Sequence, residues 1–144
     1  MPVKVKKITL WRKELENRAG TLSEALEPLA KAGADLQVVM GYCYPGERTR
    51  AAVELFPIAS KKTTSAAQSA GLSASGIPAV HVEGDNRAGL GHAITRALAD
   101  AGVNLDFLVA HAIGRKFSAV FGFENDADAA KAVTLIKKAA TKRK

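Results

Sequence analysis

Two stretches of the chain carry the same succession of apolar and polar positions. From Val3 to Trp11 the residues favour β-structure and partly alternate, with Val3, Val5, Ile8 and Leu10 apolar, which predicts a strand. Leu22, Ala25, Leu26, Leu29 and Ala30 then fall at helical spacing, and Gly33 stands where a left-handed helix end is wanted. Pro28 lies inside that helix and removes a backbone donor, so a bend is expected there. Leu36 to Tyr44 and Ala51 to Phe56 predict two strands around the turn Pro45-Gly46-Glu47. A Ser/Thr-rich helix over Lys61 to Ala70 follows.

The second stretch repeats the plan. Ile77 to Val82 predicts a strand, and Leu90, Ala93, Ile94, Ala97, Leu98 and Ala101 a helix closed at Gly102. Leu105 to Ile113 and Phe117 to Phe123 predict a hairpin around Gly114-Arg115-Lys116. A last helix begins at Asp126 as N-cap, with Ala129, Val133, Ile136 and Ala140 on one face.

The similarity extends to residue identity. Glu16-Asn17-Arg18-Ala19-Gly20 recurs 69 residues later as Asp85-Asn86-Arg87-Ala88-Gly89, and the offset holds without a gap to Asp35-Leu36 and Asn104-Leu105. After a short contraction, Ala52-Val53 aligns with Ala119-Val120 and Phe56 with Phe123. The chain is a duplication, with halves expected at residues 1–72 and 73–144 and a linker over Ser73 to Gly76. Strand, helix, hairpin, helix predicts the α+β class: two ferredoxin-like βαββα repeats, each an antiparallel sheet with helices on one face. That plan usually includes a fourth strand. Only about one strand fits between Gly71 and Asp85, so in at least one repeat the fourth strand is missing, shared or very short.

Composition narrows the function classes. Aromatic residues make up 6% of the 144 residues, so the cores are built from Leu, Val, Ile and Ala. Repeats of about 70 residues bury little apolar surface alone and are expected to dock on a partner. The net charge of +7 owes much to the ends, at Lys4, Lys6 and Lys7 and again at Lys137, Lys138, Lys142, Arg143 and Lys144; these read as solvated runs. The single cysteine, Cys43, excludes a disulfide within the chain, suits a reducing cytoplasm and is expected in or near a core. No run reaches the roughly 18 apolar residues of a membrane span, and Met1 to Leu10 lacks the apolar stretch of a signal peptide. His81, His92 and His111 lie on different elements without metal-ligand spacing, and neither a nucleophile motif nor a glycine-rich phosphate loop is present, so neither an enzyme nor a cofactor is expected.

The Asn-Arg-Ala-Gly loop carries the candidate chemistry. Glycine lets the chain turn tightly into the helix and lets a ligand approach the backbone. The amides of the helix start attract a carboxylate, and the asparagine before the turn offers both a donor and an acceptor. That combination can hold the zwitterionic end of an amino acid. The bland alternative is a good helix start with Asn as turn residue or cap.

Asn17-Arg18-Ala19-Gly20 and Asn86-Arg87-Ala88-Gly89, with Ala101 to Leu105, resemble the loop and following strand start of ACT domains, a family of amino-acid-binding regulatory modules. Within it, the chain is similar to the serine-sensing regulatory domain of phosphoglycerate dehydrogenase. The resemblance implies effector binding between paired domains. The contacts that the resemblance implies are Asn17 and Asp35 in the first copy and Asn86 and Asn104 in the second; the helix-start loops add Arg18, Ala19, Gly20 and Thr21, and Arg87, Ala88, Gly89 and Leu90, as candidate ligand residues, with both arginines more often solvent-facing. Leu15 and Gly84 occupy the place of the relative's histidine, and Ala19 and Ala88 that of the usual loop proline. The identity of the ligand therefore does not carry over.

A rival comes from RNA-recognition domains, which share the βαββ order. Lys116 to Phe123 loosely matches their basic-aromatic strand, yet Phe117, Phe121 and Phe123 share a face that serves equally as core. The first copy offers only Ala51, Val53 and Leu55 there, so nucleic acid is not expected as a partner. The expected protein is a cytoplasmic, non-catalytic module that binds an amino acid or similar effector. It would be a homodimer passing its signal to a separate enzyme or regulator, with a purely structural interaction protein as the remaining alternative.

Overall fold

The computed structural model describes residues 3–141. In chain order the elements are β1 (Lys4–Ile8), β2 (Trp11–Glu16), α1 (Thr21–Lys31), β3 (Val38–Tyr44), β4 (Glu47–Phe56), α2 (Lys61–Ser69), β5 (Ser73–Ala74), β6 (Ala79–Asp85), α3 (Leu90–Asp100), β7 (Leu105–Ile113), β8 (Lys116–Phe123) and α4 (Asp126–Thr141). They form two four-stranded antiparallel sheets with strand orders β3-β4-β2-β5 and β1-β6-β8-β7. The α+β repeats read from the sequence are thus present. The basic run Lys142, Arg143 and Lys144 lies outside the described residues.

The expected first strand is two strands. β1 pairs with β6, from Lys4 opposite Glu83 to Ile8 opposite Ala79, whereas β2 pairs with β4 and β5 in the other sheet. A strand serves one sheet at a time, and the apolar alternation already changes phase between Val5 and Ile8. The chain therefore divides into Thr9–Gly76 and a discontinuous unit made of Met1–Ile8 and Ile77–Lys144, not into the contiguous halves 1–72 and 73–144. This answers the question of the fourth strand. In the first unit it is the two-residue β5, within the expected linker, where Trp11 faces Ala74. In the second it is β1, supplied from the other end of the chain.

Pairing register also corrects the alignment of the copies. Glu14 faces Ala52 and Glu83 faces Ser118, so Ala52-Val53 corresponds to Ser118-Ala119 rather than to Ala119-Val120. The contraction is three residues, and the one-residue error exchanges the faces of the strand.

The core of the Thr9–Gly76 unit is small, with Leu29, Val53, Leu55, Ala67 and Leu72 buried. Trp11 and Leu15 pack against it. The other unit buries a larger set beneath α3 and α4, including Val80, Val82, Ile94, Leu98, Phe121, Phe123 and Ile136, and Val5 of β1 joins it. Phe117, Phe121 and Phe123 are all core residues, so the face that would stack on RNA bases is packed against helices. The helix ends follow the sequence: at Gly33 (φ 80°) and Gly102 (φ 75°) the next amides, Ala34 and Val103, return to Leu29 and Leu98. α1 runs on through Pro28 to Lys31. The cap of α4 is not Asp126 but Asn125, whose Oδ1 accepts the Asp128 amide at 2.8 Å.

Candidate functional site

In the discontinuous unit, β6 ends at Asp85 and α3 starts at Leu90. Gly89 makes the bend between them at φ 82°, a conformation that side chains with a Cβ rarely adopt. The Asn86 amide donates to Arg115 O at 2.7 Å, which pins the loop to the β7–β8 turn. Leu90 enters the core beneath. The Arg87 guanidinium donates to Ala139 O in the last turn of α4 at 3.2 Å, where a cation complements the helix dipole. Lys116 Nζ lies 3.0 Å from Asp85 Oδ1 and holds that carboxyl below the usual carboxylate range.

Beside this loop is a cavity of about 820 Å³. Its walls include Asn86 to Leu90, His92, Phe117, Val3 and the α4 residues Ala140 and Thr141. Its size suits a small organic ligand. Helix geometry leaves the Gly91 and His92 amides without an intrahelical acceptor, and Gly89 has no side chain to cap them. Among the described residues nothing hydrogen-bonds the Asn86 side chain. The first amides of α3 and the Asn86 side chain thus stand next to open space.

The first copy of the loop is built differently. Gly20 makes the same bend at φ 93°. Asn17, however, gives its backbone N–H to Thr49 O at 3.0 Å and its side-chain Nδ2 to Arg48 O at 2.6 Å and Cys43 Sγ at 3.3 Å. Arg18 is clamped between Glu16 (3.2 Å) and both carboxylate oxygens of Glu24 (3.0 and 3.2 Å). Glu24 raises the Arg18 pKa, and Arg18 lowers that of Glu24. The Thr21 hydroxyl donates to Arg18 O at 3.1 Å. The neighbouring space, bounded by Leu22, Tyr42 and the half-buried Cys43, is only about 260 Å³. In the second copy Ala93 stands where the first has Glu24, so the bidentate half of that clamp has no counterpart there.

Asp35 and Asn104 do not join the loops of their own units. Asn104 precedes β7, whose Leu105 pairs with Phe123, whereas the 86–89 loop sits at the Lys116 end of the same sheet. The 11-residue α3 separates the two, roughly 16 Å along its axis. Asp35 is parted from Asn17 by α1 in the same way. His92, Val3 and Thr141 line the cavity but are not among the ligand residues named from the sequence; Val3 and Thr141 reach it only through β1 and α4. A histidine two residues into the helix was the available signal for the first.

The remaining polar cluster of the Thr9–Gly76 unit is bonded internally except at Glu54 Oε1, which is buried without a hydrogen-bond partner among the described residues. Arg50 chelates Glu14 at 2.7 Å, Tyr44 donates to Glu14, Arg12 donates to Tyr44, and Tyr42 donates to the buried Glu54. Among the described residues no three His, Cys, Asp or Glu side chains form a metal-binding group. None of the described helices is long and apolar enough to cross a membrane.

No protein-family model matches the sequence, and no curated protein matches it either. Solved structures do. The regulatory subunit of aspartate kinase from Thermus thermophilus, in its ligand-free form, superposes with a TM-score of 0.63 over 96% of this chain and 97% of its own, at 15% identity. The fold is ACT-like. A Bacteroides thetaiotaomicron protein superposes with a TM-score of 0.73, at 16% identity over 96% of this chain and 99% of its own. A Vibrio cholerae protein described as a possible transport protein reaches 0.52, with 17% identity over 97% and 90% of the two chains.

Proposed function

We propose that this chain is a non-catalytic regulatory module that binds a small carboxylate effector of the amino-acid class at the 86–89 loop. The observation that carries the reading is the contrast between the two loops. One Asn-Arg-Ala-Gly faces a cavity of about 820 Å³, while the other is occupied by its own neighbours. The α3 amides and Asn86 would hold the α-carboxylate and ammonium, and Arg87, Ala88, Gly89, Leu90 and His92 would shape the walls. Similarity in fold to a regulatory subunit of aspartate kinase favours a role in controlling a separate enzyme or regulator. The resemblance to the serine-sensing domain of phosphoglycerate dehydrogenase gives the same ligand class without naming the member.

A homodimer in the cytoplasm completes the proposal. Asn104 lies at the far end of its own sheet, so a ligand touching both asparagines needs Asn104 from a second copy. The edge strands β3 and β7 expose Val39, Leu108, Val109 and Ile113, the last 73% accessible, and such edges readily pair.

The test is a calorimetric and thermal-shift screen of the common amino acids. A ligand at 100 times its dissociation constant stabilises the native state by about 2.7 kcal/mol, which is several degrees of Tm. Asn86→Ala should remove the response and Asn17→Ala should keep it. A response lost equally in both variants, or absent for every amino acid, rejects the reading.

A further inference from the structure

The charges of the discontinuous unit are segregated along its length. Lys4 follows Val3 in the cavity wall, and Arg87 lines the cavity itself. Arg115 and Lys116 form the turn that holds Asn86 and Asp85, while Lys137 and Lys138 sit in the α4 turn closed by the Thr141 hydroxyl. Against these six cations stand two carboxylates, Glu83 opposite Lys4 and Asp85 bound to Lys116. The other end of the unit has the reverse balance. Asp100, Asp106, Glu124, Asp126 and Asp128 gather there with three cations, of which Lys7 pairs with Asp126 and Arg96 with Asp100. The sequence spreads these groups over 135 positions; the fold collects the positive set around one opening because β1 and α4 run antiparallel past each other.

We infer that the cavity selects an effector with net negative charge, an amino acid with an acidic side chain or an equivalent dicarboxylate, over neutral and cationic ones. The inference rests on the binding reading above and adds its charge class. Asp85 lines the cavity beside Arg87 but is paired with Lys116, so the surroundings of the cavity carry a surplus of cations, and such a surplus concentrates anions at its mouth. Arg87 points its guanidinium at the same rim, and the helix start inside it already favours one carboxylate, so a second carboxylate meets cations instead of solvent alone. All six are exposed, so their influence acts through solvent and falls with salt.

L-Glutamate and L-glutamine are nearly isosteric and differ by one charge, which makes them the probe pair, with L-lysine as the third ligand. Isothermal titration of the full chain at low ionic strength should show glutamate binding about tenfold tighter than glutamine, and lysine weakest. The gap should close in roughly 1 M salt, where the screening length shrinks to about 3 Å. Lys137→Glu combined with Lys138→Glu should narrow it with an unchanged circular dichroism spectrum. Equal affinity for glutamate and glutamine at low salt overturns the inference, as does tighter binding of lysine. If a neutral amino acid such as serine binds at Asn86 and glutamate does not, the charge class falls while the regulatory reading stands. If no amino acid binds at all, both fall.

Discussion

Asn17 and Asn86 occupy the same place in the same tetrapeptide and do different work. The Asn17 amide bridges its loop to the β3–β4 hairpin through Arg48 O, and such a bond contributes about 1 kcal/mol net. Asn17→Ala should therefore lower stability by roughly that much in urea denaturation, whereas Asn86→Ala, which breaks no side-chain bond, should stay within about 0.5 kcal/mol of the parent. What distinguishes the two was on the page as sequence, since Glu24 clamps Arg18 and its counterpart is Ala93. Its meaning was not, because a clamp across six residues requires knowing how the Gly20 bend folds the chain back. His81 gives a second test. It is 4% exposed, and burial depresses its pKa below 6.5. A base with a lowered folded pKa takes up protons more readily when unfolded, so it destabilises the chain as pH falls below about 6.5 and contributes no pH dependence above. Unfolding curves at pH 7.5 and 5.5 should differ less for His81→Gln than for the parent; an identical difference would assign the acid sensitivity to other groups.

Among the elements, the helices and the two hairpins were legible because their periodicity is local. The Leu29 and Leu98 stripes, the glycine caps and both turns stand near where the pattern places them. Strand partnership was not legible. Nothing in Lys4–Ile8 says that its neighbour is 75 residues away, and a short strand beside another reads as one long strand. The cap of α4 was missed by one residue because Asn125 and Asp126 are both good caps. Asn125→Ala should cost about 1 kcal/mol and Asp126→Ala less, a comparison that thermal unfolding can resolve. β1 matters more than its length suggests. Val5 is in the core with Val82 and Phe121, so Val5→Asp places a charge there and should unfold the unit that carries the cavity. Tryptophan fluorescence reports on the other unit, since Trp11 belongs to it. The signal of Trp11 should persist while ligand response is lost.

For the molecule as a whole, duplication has preserved a scaffold and let its sites diverge. The +7 charge is carried unevenly: Thr9–Gly76 holds eight Lys and Arg against seven Asp and Glu, and the discontinuous unit thirteen against seven. A reader of the sequence sees basic ends and takes them for solvated tails, because the convergence of Lys4 with Lys137 and Lys138 exists only after folding. The proposed dimer is tested at this scale. Ile113→Lys on the β7 edge should shift the mass measured by light scattering from two chains to one without changing secondary structure; a parent that is already monomeric rejects this interface.

The N-terminal strand finds its partner late. During synthesis Lys4–Ile8 emerges well before β6, and at about 5–20 residues per second the ribosome needs several seconds to deliver Asp85. Meanwhile everything from Thr9 to Gly76 can close upon itself, so the segment made earlier must wait, five residues of unsatisfied backbone, until the later half arrives. Slowing translation after Gly76 should therefore lengthen the window in which a chaperone or a protease can capture those residues.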